Sequence, residues 1–407
     1  MKIRSITYFI DTGWPLDLDA LRRAGVFLQA AKTAFEAAGY GVQTARLATI
    51  PFSMMLPIFD PEAVVRLAQG LEQAAGDLGY AYVSLGPALP ADLKAFAAIP
   101  AALASTQNAF FSGMITTPGK EVYLPAVRAA AQVMQQAAPI SPDGFANLRF
   151  AALANVPPGS PFFPAAYHVG VSPSFAVATE AADLAVQVFS EAETLMQGRE
   201  NLRSGMEKHA VALSKVAQVL AHQYDASFGG IDFSLAPFPS EALSLGKALE
   251  CLGVPGLGRH GSLAAAAILA DTMDQAQFIR AGFSGLMLPV LEDAVLAQRA
   301  SDGLLTVTDL LLYSAVCGTG LDTVPLPGDT SAEQLAALLL DLAALSCRLE
   351  KPLTARLMPV PGKQAGDPTG FDFSFFANSR VMALRAAPLS GLLTGDEAVR
   401  LRRRLAP

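Results

Sequence analysis

Short runs rich in β-branched and aromatic residues alternate with stretches of helical spacing along this chain, and that alternation predicts an α/β fold. It is the pattern of a mostly parallel sheet whose strands are joined by helical crossovers. Two further observations agree. Hydrophobic residues make up 52% of the 407 and charged ones only 16%, so a large share of side chains must be buried. No stretch is rich enough in serine, glycine or charge to mark a linker, so residues 1–407 are expected to form a single domain.

Taken in order, Lys2 to Ile10 reads as a strand, turned by Asp11-Thr12-Gly13 into the helical spacing of Leu16 to Ala38. Gly39 and Gly41 close that helix before the extended run Val42 to Leu47. Pro61 to Ala75 predicts a helix and Ala81 to Leu85 a strand. Asn108 to Thr116 is another strand, followed by Pro118-Gly119-Lys120 and a helix over Val122 to Ala137. Arg149 to Ala154 is extended. The connector Asn155 to His168 then places four prolines in eight residues, which excludes both helix and central strand. Such a stiff segment, with Phe162 and Phe163 adjacent, is expected to wrap the core or line a pocket. Helical patterns cover Phe175 to Phe189 and Thr194 to Gln223, and Gly229-Gly230 opens a strand, Ile231 to Leu235, with Asp232 and Ser234 on one face. Helices follow at Glu241 to Cys251 and Ser262 to Ala281, and a short strand at Gly285 to Pro289. Thr306 and Asp309 have capping-box spacing for the helix Val307 to Val316, and Thr330 and Glu333 for the leucine-striped helix after it. Leu353 to Val360 is a strand ending in Pro361-Gly362-Lys363.

Several function classes fall away on composition. A net charge of −7 argues against a nucleic-acid surface. The one basic cluster, Arg400, Arg402, Arg403 and Arg404, fits the last turn of a terminal helix from Asp396, where cations complement the dipole. No run reaches the roughly 18 apolar residues of a membrane span, and Met1 to Asp11 lacks the features of a signal peptide. Cys251, Cys317 and Cys347 fit neither a disulfide framework nor a zinc knuckle. A cytoplasmic protein is expected. The apolar excess predicts a homodimer, with the alanine-rich Ser262 to Ala281 helix as a contact.

Arg149 to His168, Phe228 to Pro237, Cys317 to Asp329 and Leu353 to Lys363 together resemble domain-of-unknown-function family 711, also called uncharacterised protein family 0210. The likeness covers nearly the whole chain. It implies a barrel of the pyruvate formate-lyase and ribonucleotide reductase type: ten strands in two parallel half-sheets, outer helices, and a loop threading the interior. It implies no particular reaction. Glycyl-radical enzymes carry a C-terminal Arg-Val-x-Gly motif, and the nearest match here, Arg380-Val381-Met382-Ala383, has alanine in the glycine place, so glycyl-radical chemistry is not expected.

The candidate site centres on Ala315 to Asp329, read as a rigid loop between two helical patterns that holds a thiol, two carboxylates, three glycines and two prolines. Cys317 is a nucleophile or metal ligand, or else a buried cysteine whose thiolate a helix C-terminus disfavours. Asp322 is a base or cation ligand, or an Asx turn. Asp329 is a helix cap. His168 is an acid, base or ligand working with Asp232, or a structural histidine. Asp232 and Ser234 are expected to face the lumen, since carboxylates rarely pack under helices unpartnered. Arg149 and Arg356 are the anion partners, and Asn155, Ser234 and Lys363 complete the substrate contacts. No metal-ligand spacing exists, although Asp322, Asp329, Asp232 and Asp367 would suit Mg²⁺ or Ca²⁺ if the fold converged them. Gly318-Thr319-Gly320 follows a helix rather than a strand, which counts against a dinucleotide fingerprint. The expected function is an enzyme acting on a small anionic metabolite by general acid–base or thiol chemistry. The alternative is a non-catalytic metabolite sensor.

Overall fold

The computed structural model describes residues 1–316 and 318–403. The first half of the chain gives β1 (Lys2–Phe9), α1 (Leu18–Ala37), β2 (Val42–Ala48), α2 (Phe52–Met55), α3 (Pro61–Leu78) and β3 (Tyr82–Ala88). It continues with α4 (Leu93–Ala104), β4 (Ala109–Met114), β5 (Glu121–Tyr123), α5 (Leu124–Ala137) and β6 (Phe150–Ala154). The second half gives β7 (Ser174–Glu180), α6 (Ala182–Glu191), α7 (Leu195–Tyr224), β8 (Ser227–Asp232), α8 (Leu245–Cys251) and α9 (Ser262–Asp274). Then come α10 (Ala294–Ser301), α11 (Val307–Val316), β9 (Gly320–Pro327), α12 (Ala332–Leu349), β10 (Leu353–Val360) and β11 (Ala398–Arg400).

Nine strands form one mostly parallel sheet in the order β8-β7-β1-β2-β3-β4-β6-β10-β9. β1, β2, β3, β4 and β6 run parallel to one another. β7 turns antiparallel against β1, and β10 against β6, while β8 follows β7 and β9 follows β10 in parallel. The segment 280–289 touches both end strands through isolated parallel bridges: Arg280 to Ile231, Leu286 to Leu235, and Pro289 to Asp322.

Alternation along the strands separates two environments. Ile3, Leu47, Val83, Phe111, Phe150, Phe175 and Ile231 pack with the helices in the main core. The intervening residues Phe9, Ala48, Phe110 and Ala176 face the other way and meet Phe163 and Ala166. Ala151 and Leu153 likewise meet Val156, Phe162 and Ala165. The proline-rich connector therefore covers the sheet face opposite the helices, as its stiffness suggested.

Four expectations are corrected. The Ala315 to Asp329 stretch is not a loop throughout, because Gly320–Pro327 is β9, buried along nearly its whole length and paired with β10. Pro325 and Pro327 are tolerated because β9 ends the sheet order, where not every backbone N–H is needed in a ladder. Ser174–Glu180 is a strand rather than the start of a helix, its β-branched and aromatic residues pairing with β1 on one side and β8 on the other. Among the described residues no terminal helix follows Asp396; Ala398–Arg400 pairs antiparallel with β5 instead, and Arg404 lies outside the described residues. The cap of α12 falls one residue later than expected. Ser331 and Gln334 bond each other's backbone reciprocally, while the Thr330 hydroxyl donates to the Pro327 carbonyl. Among the described residues no helix is long and apolar enough to cross a membrane.

Candidate functional site

On the connector-covered face, charged side chains from β1, β2, β7, β9, β10 and the turn before α10 come together. Arg356 of β10 donates from Nε to Asp322 Oδ1 at 2.6 Å and from Nη2 to Glu292 Oε1 at 2.8 Å. Arg4 of β1 donates to the other oxygen of Glu292, reaches the Pro237 carbonyl at 3.1 Å, and lies 3.5 Å from Glu180 Oε2. Gln43 also donates to Glu180. A chain of alternating charge thus runs Glu180, Arg4, Glu292, Arg356, Asp322. Asp322 is 1% exposed, and Glu180, Glu292 and Arg356 are similarly buried.

Burial and pairing compete along this chain. Burial raises the Asp322 carboxyl above its usual range despite the Arg356 guanidinium, with Glu292 adding repulsion. Burial also pushes Glu292 upward, but Arg4, Arg356 and Arg46 together overcome it and hold Glu292 below the usual range. Glu180 is raised by burial, with Arg4 and Gln43 opposing. Burial would weaken the Arg356 charge, yet Asp322 and Glu292 secure it.

Arg46 of β2 differs from its neighbours. Its Nε donates to Thr44 Oγ1 at 2.8 Å, and its guanidinium carbon stands 5.1 Å from the Phe163 ring centre and 5.6 Å from that of Tyr82. Among the described residues it forms no ion pair, and neither terminal nitrogen has a hydrogen-bond partner. Burial, reinforced by Arg4, lowers its pKa to about 9, which leaves it charged at neutral pH.

A cleft of about 70 Å³ opens between these groups. Its charged walls are Arg4, Arg46, Arg356 and Glu292, three guanidiniums to one carboxylate. Tyr82, Phe110, Phe162 and Phe163 supply aromatic surface, and Phe373 and Phe375 close the side nearest the C-terminal segment. That segment is pinned at its base. Asn378 bonds both the N–H and the carbonyl of Phe371, and Thr369 and Ser379 bond each other.

Of the residues expected at the site, Arg356 and Asp322 are brought together, Arg356 in the wall and Asp322 behind it. The others lie elsewhere. Arg149 is spent on backbone carbonyls at the C-terminal end of α4 and just beyond it, donating to Leu103 O at 2.8 Å and Thr106 O at 2.9 Å. Asn155 ties the end of β6 to Ser346 of α12. Asp232 accepts from Ser234 and from the N–H groups of Phe283 (3.0 Å) and Ser284 (2.9 Å), so both Asp232 and Ser234 anchor segment 280–289. Gly282 is required there, because a Cβ would sit 2.1 Å from Asp232 Oδ2. His168 is buried near the ends of β1 and β2, its N–H on the Thr49 carbonyl at 2.9 Å. Its Nε2 has no partner, and burial lowers its pKa. It shares no hydrogen bond with Asp232. Lys363 enters only through its backbone, in the turn with Val360 and Gly328. Cys317 lies outside the described residues.

The oxygen donors considered for a metal stay apart: Asp322 with Arg356, Asp232 with Ser234, and Asp329 and Asp367 around Gln364. Among the described residues no three of His, Cys, Asp or Glu converge. Arg4, Arg46 and Glu292 escaped the sequence reading. Arg4 and Arg46 did leave a signal, a charge set inside a β-branched or apolar strand.

Fold and site together define an α/β protein with a buried ion-pair chain, an unpaired guanidinium and an aromatic-walled cleft beside it. The chain belongs to the family described as Uncharacterised ACR (DUF711), whose model matches residues 1–374. It is 33% identical over 352 residues to a UPF0210 protein of Pyrobaculum arsenaticum, covering 81% of this chain and 76% of that one. A UPF0210 protein of Pyrobaculum aerophilum is 34% identical over 352 residues with the same coverage. One from Acetivibrio thermocellus is 29% identical over 345 residues, covering 81% and 76%.

Proposed function

We propose that this protein takes a small anionic metabolite into the cleft and acts on it there by acid–base chemistry. One observation carries the reading: Arg46 keeps two guanidinium nitrogens unbonded beside the cleft, while each nearby carboxylate is already paired with Arg4 or Arg356. Glu292 supports the Arg46 charge only from a distance, and a partly desolvated cation with no carboxylate bonded to it is costly, a cost that an anionic ligand offsets. Asp322 is the acid–base candidate, since burial favours its protonated form and its Oδ2 accepts no bond from a described residue. Thiol chemistry at Cys317 belongs to the same proposal, and glycyl-radical chemistry does not.

The reading includes a ten-stranded barrel like that of pyruvate formate-lyase, with segment 280–289 as the tenth member and the cleft in its lumen. Its bridges to β8 and β9 support this, as does the antiparallel junction at each side of the five-stranded parallel run. A cytoplasmic homodimer is also part of it. α9 turns Ala265, Ala266, Leu269 and Ala270 inward, so the proposed contact moves to the apolar groove between α1 and α7, where Val26 and Val219 are each 62% exposed. Light scattering at a single-chain mass across micromolar concentrations would remove the dimer.

Calorimetric titration of the whole protein with small organic anions tests the central claim. Binding that disappears in Arg46→Gln supports it, and the absence of any binding to the wild type overturns it. A sensing role is the second reading, favoured by the place of Asp322 behind Arg356 rather than in the cleft wall. Asp322→Asn separates the two. NMR of a bound anion shows conversion by the wild type and none by the variant, with binding retained, only if the site is catalytic.

A further inference from the structure

Resting on the anion-site reading above, we infer that the ligand is a compact monocarboxylate of roughly two to four carbons, gripped by the terminal nitrogens of Arg46 with its tail against the aromatic walls. Three features of the cleft carry this.

The first is the geometry of the free cation. Because Nε of Arg46 is held by the Thr44 hydroxyl, the guanidinium offers Nη1 and Nη2 end-on, a fork that matches the two oxygens of one planar carboxylate. The second is the absence of further unmatched positive charge. Arg4 and Arg356 each already face two carboxylates, Glu180 and Glu292 for the first and Asp322 and Glu292 for the second, so their charge is matched although each keeps N–H groups that bond neither. The donors of Ser5, Gln43, Thr44 and Thr179 are spent on protein oxygens. A phosphate dianion or a dicarboxylate would bring a second charge with nothing to receive it, and its desolvation would go uncompensated. The third is size. At roughly 10–15 Å³ for each water-sized position, a cleft of about 70 Å³ holds about five to seven non-hydrogen atoms. Four to six of those make up acetate to butyrate.

The wall that sets this length is the segment carrying Phe373 and Phe375. Its base is fixed by the Asn378 and Thr369–Ser379 bonds, and Ala377 N–H binds the Leu291 carbonyl at 2.6 Å. The Phe373 ring stands 5.3 Å from that of Phe375 and also packs on Phe145 and Phe376, so removing it opens space while the hydrogen bonds at the base of the loop remain.

Isothermal titration of the full-length protein with sodium acetate, butyrate, octanoate, succinate and phosphate is the test. Butyrate is expected to bind more tightly than octanoate, succinate and phosphate. Arg46→Lys, which keeps the charge and loses the fork, should weaken butyrate about tenfold or more. Phe373→Ala should tighten octanoate by about tenfold, as newly buried methylenes would, and leave acetate nearly unchanged. Phosphate or succinate binding more tightly than butyrate would overturn the ligand class while leaving an anion site standing. Octanoate binding to the wild type as well as butyrate would overturn the size limit. If nothing binds, both this inference and the anion-site reading fall. The wild-type panel decides ligand class even if a variant does not fold.

Discussion

Replacing Arg356 by leucine puts the buried charge chain to its hardest test. Among the described residues Arg356 is the one hydrogen-bond donor to the Asp322 carboxylate and one of two guanidiniums on Glu292. Leucine fills part of the space but leaves Asp322, 1% exposed, with no cation bonded to it and only Arg4 acting from a distance. Removing one partner of a buried ion pair costs about 3–5 kcal/mol, and two charge-assisted hydrogen bonds at about 1.5–3 kcal/mol each give about 3–6 kcal/mol, which overlaps it. The cost should depend on pH. Asp322 already has its carboxyl raised by burial, and loss of Arg356 raises it further above the unfolded value of about 3.9. A folded-state pKa above the unfolded one means that protonation favours the folded state, so the cost should shrink as pH falls from about 7.5 toward 5.5. Urea unfolding at both pH values measures this. Adding Asp322→Leu should recover about 1 kcal/mol or more relative to the sum of the single changes. A loss under about 1 kcal/mol, with additive double-variant energies, would refute the claim that this pair is buried and coupled.

Arg149→Met should destabilise the protein by about 2–4 kcal/mol, because Leu103 and Thr106 lose a charged donor, yet leave anion affinity unchanged; a selective loss of binding in a stable variant would place Arg149 at the site after all. His168, held neutral by burial, has a folded pKa below the unfolded value of about 6.5. Its contribution is fully present above that value and is lost as pH falls toward the folded pKa, so His168→Gln should flatten the fall in unfolding free energy between pH 7 and 5. Identical slopes would count against it. His209, also lowered by burial, supplies a residual slope in both proteins.

Much of the architecture could be read from the chain because it rests on neighbours in sequence. The strand runs at Lys2, Val42 and Leu353, the leucine stripe of α12 and the stiffness of the Asn155 to His168 connector each follow from local period or from proline. Where glycine and proline were dense, the same local logic misled. β9 looks like a loop until its place at the end of the sheet order is known. Individual charges were visible too, Asp322 and Arg356 among them, but not which would meet. Asp322 reaches Arg356 because β9 lies beside β10, and Arg4 reaches Glu180 and Glu292 because β7 and the turn before α10 close on β1. Arg46 is left unpaired for the same reason: the available carboxylates are already held by Arg4 and Arg356. Backbone periodicity is decided by residues a few positions apart, whereas ion pairing falls off within a few ångströms and is decided by strand order, which only the folded sheet supplies.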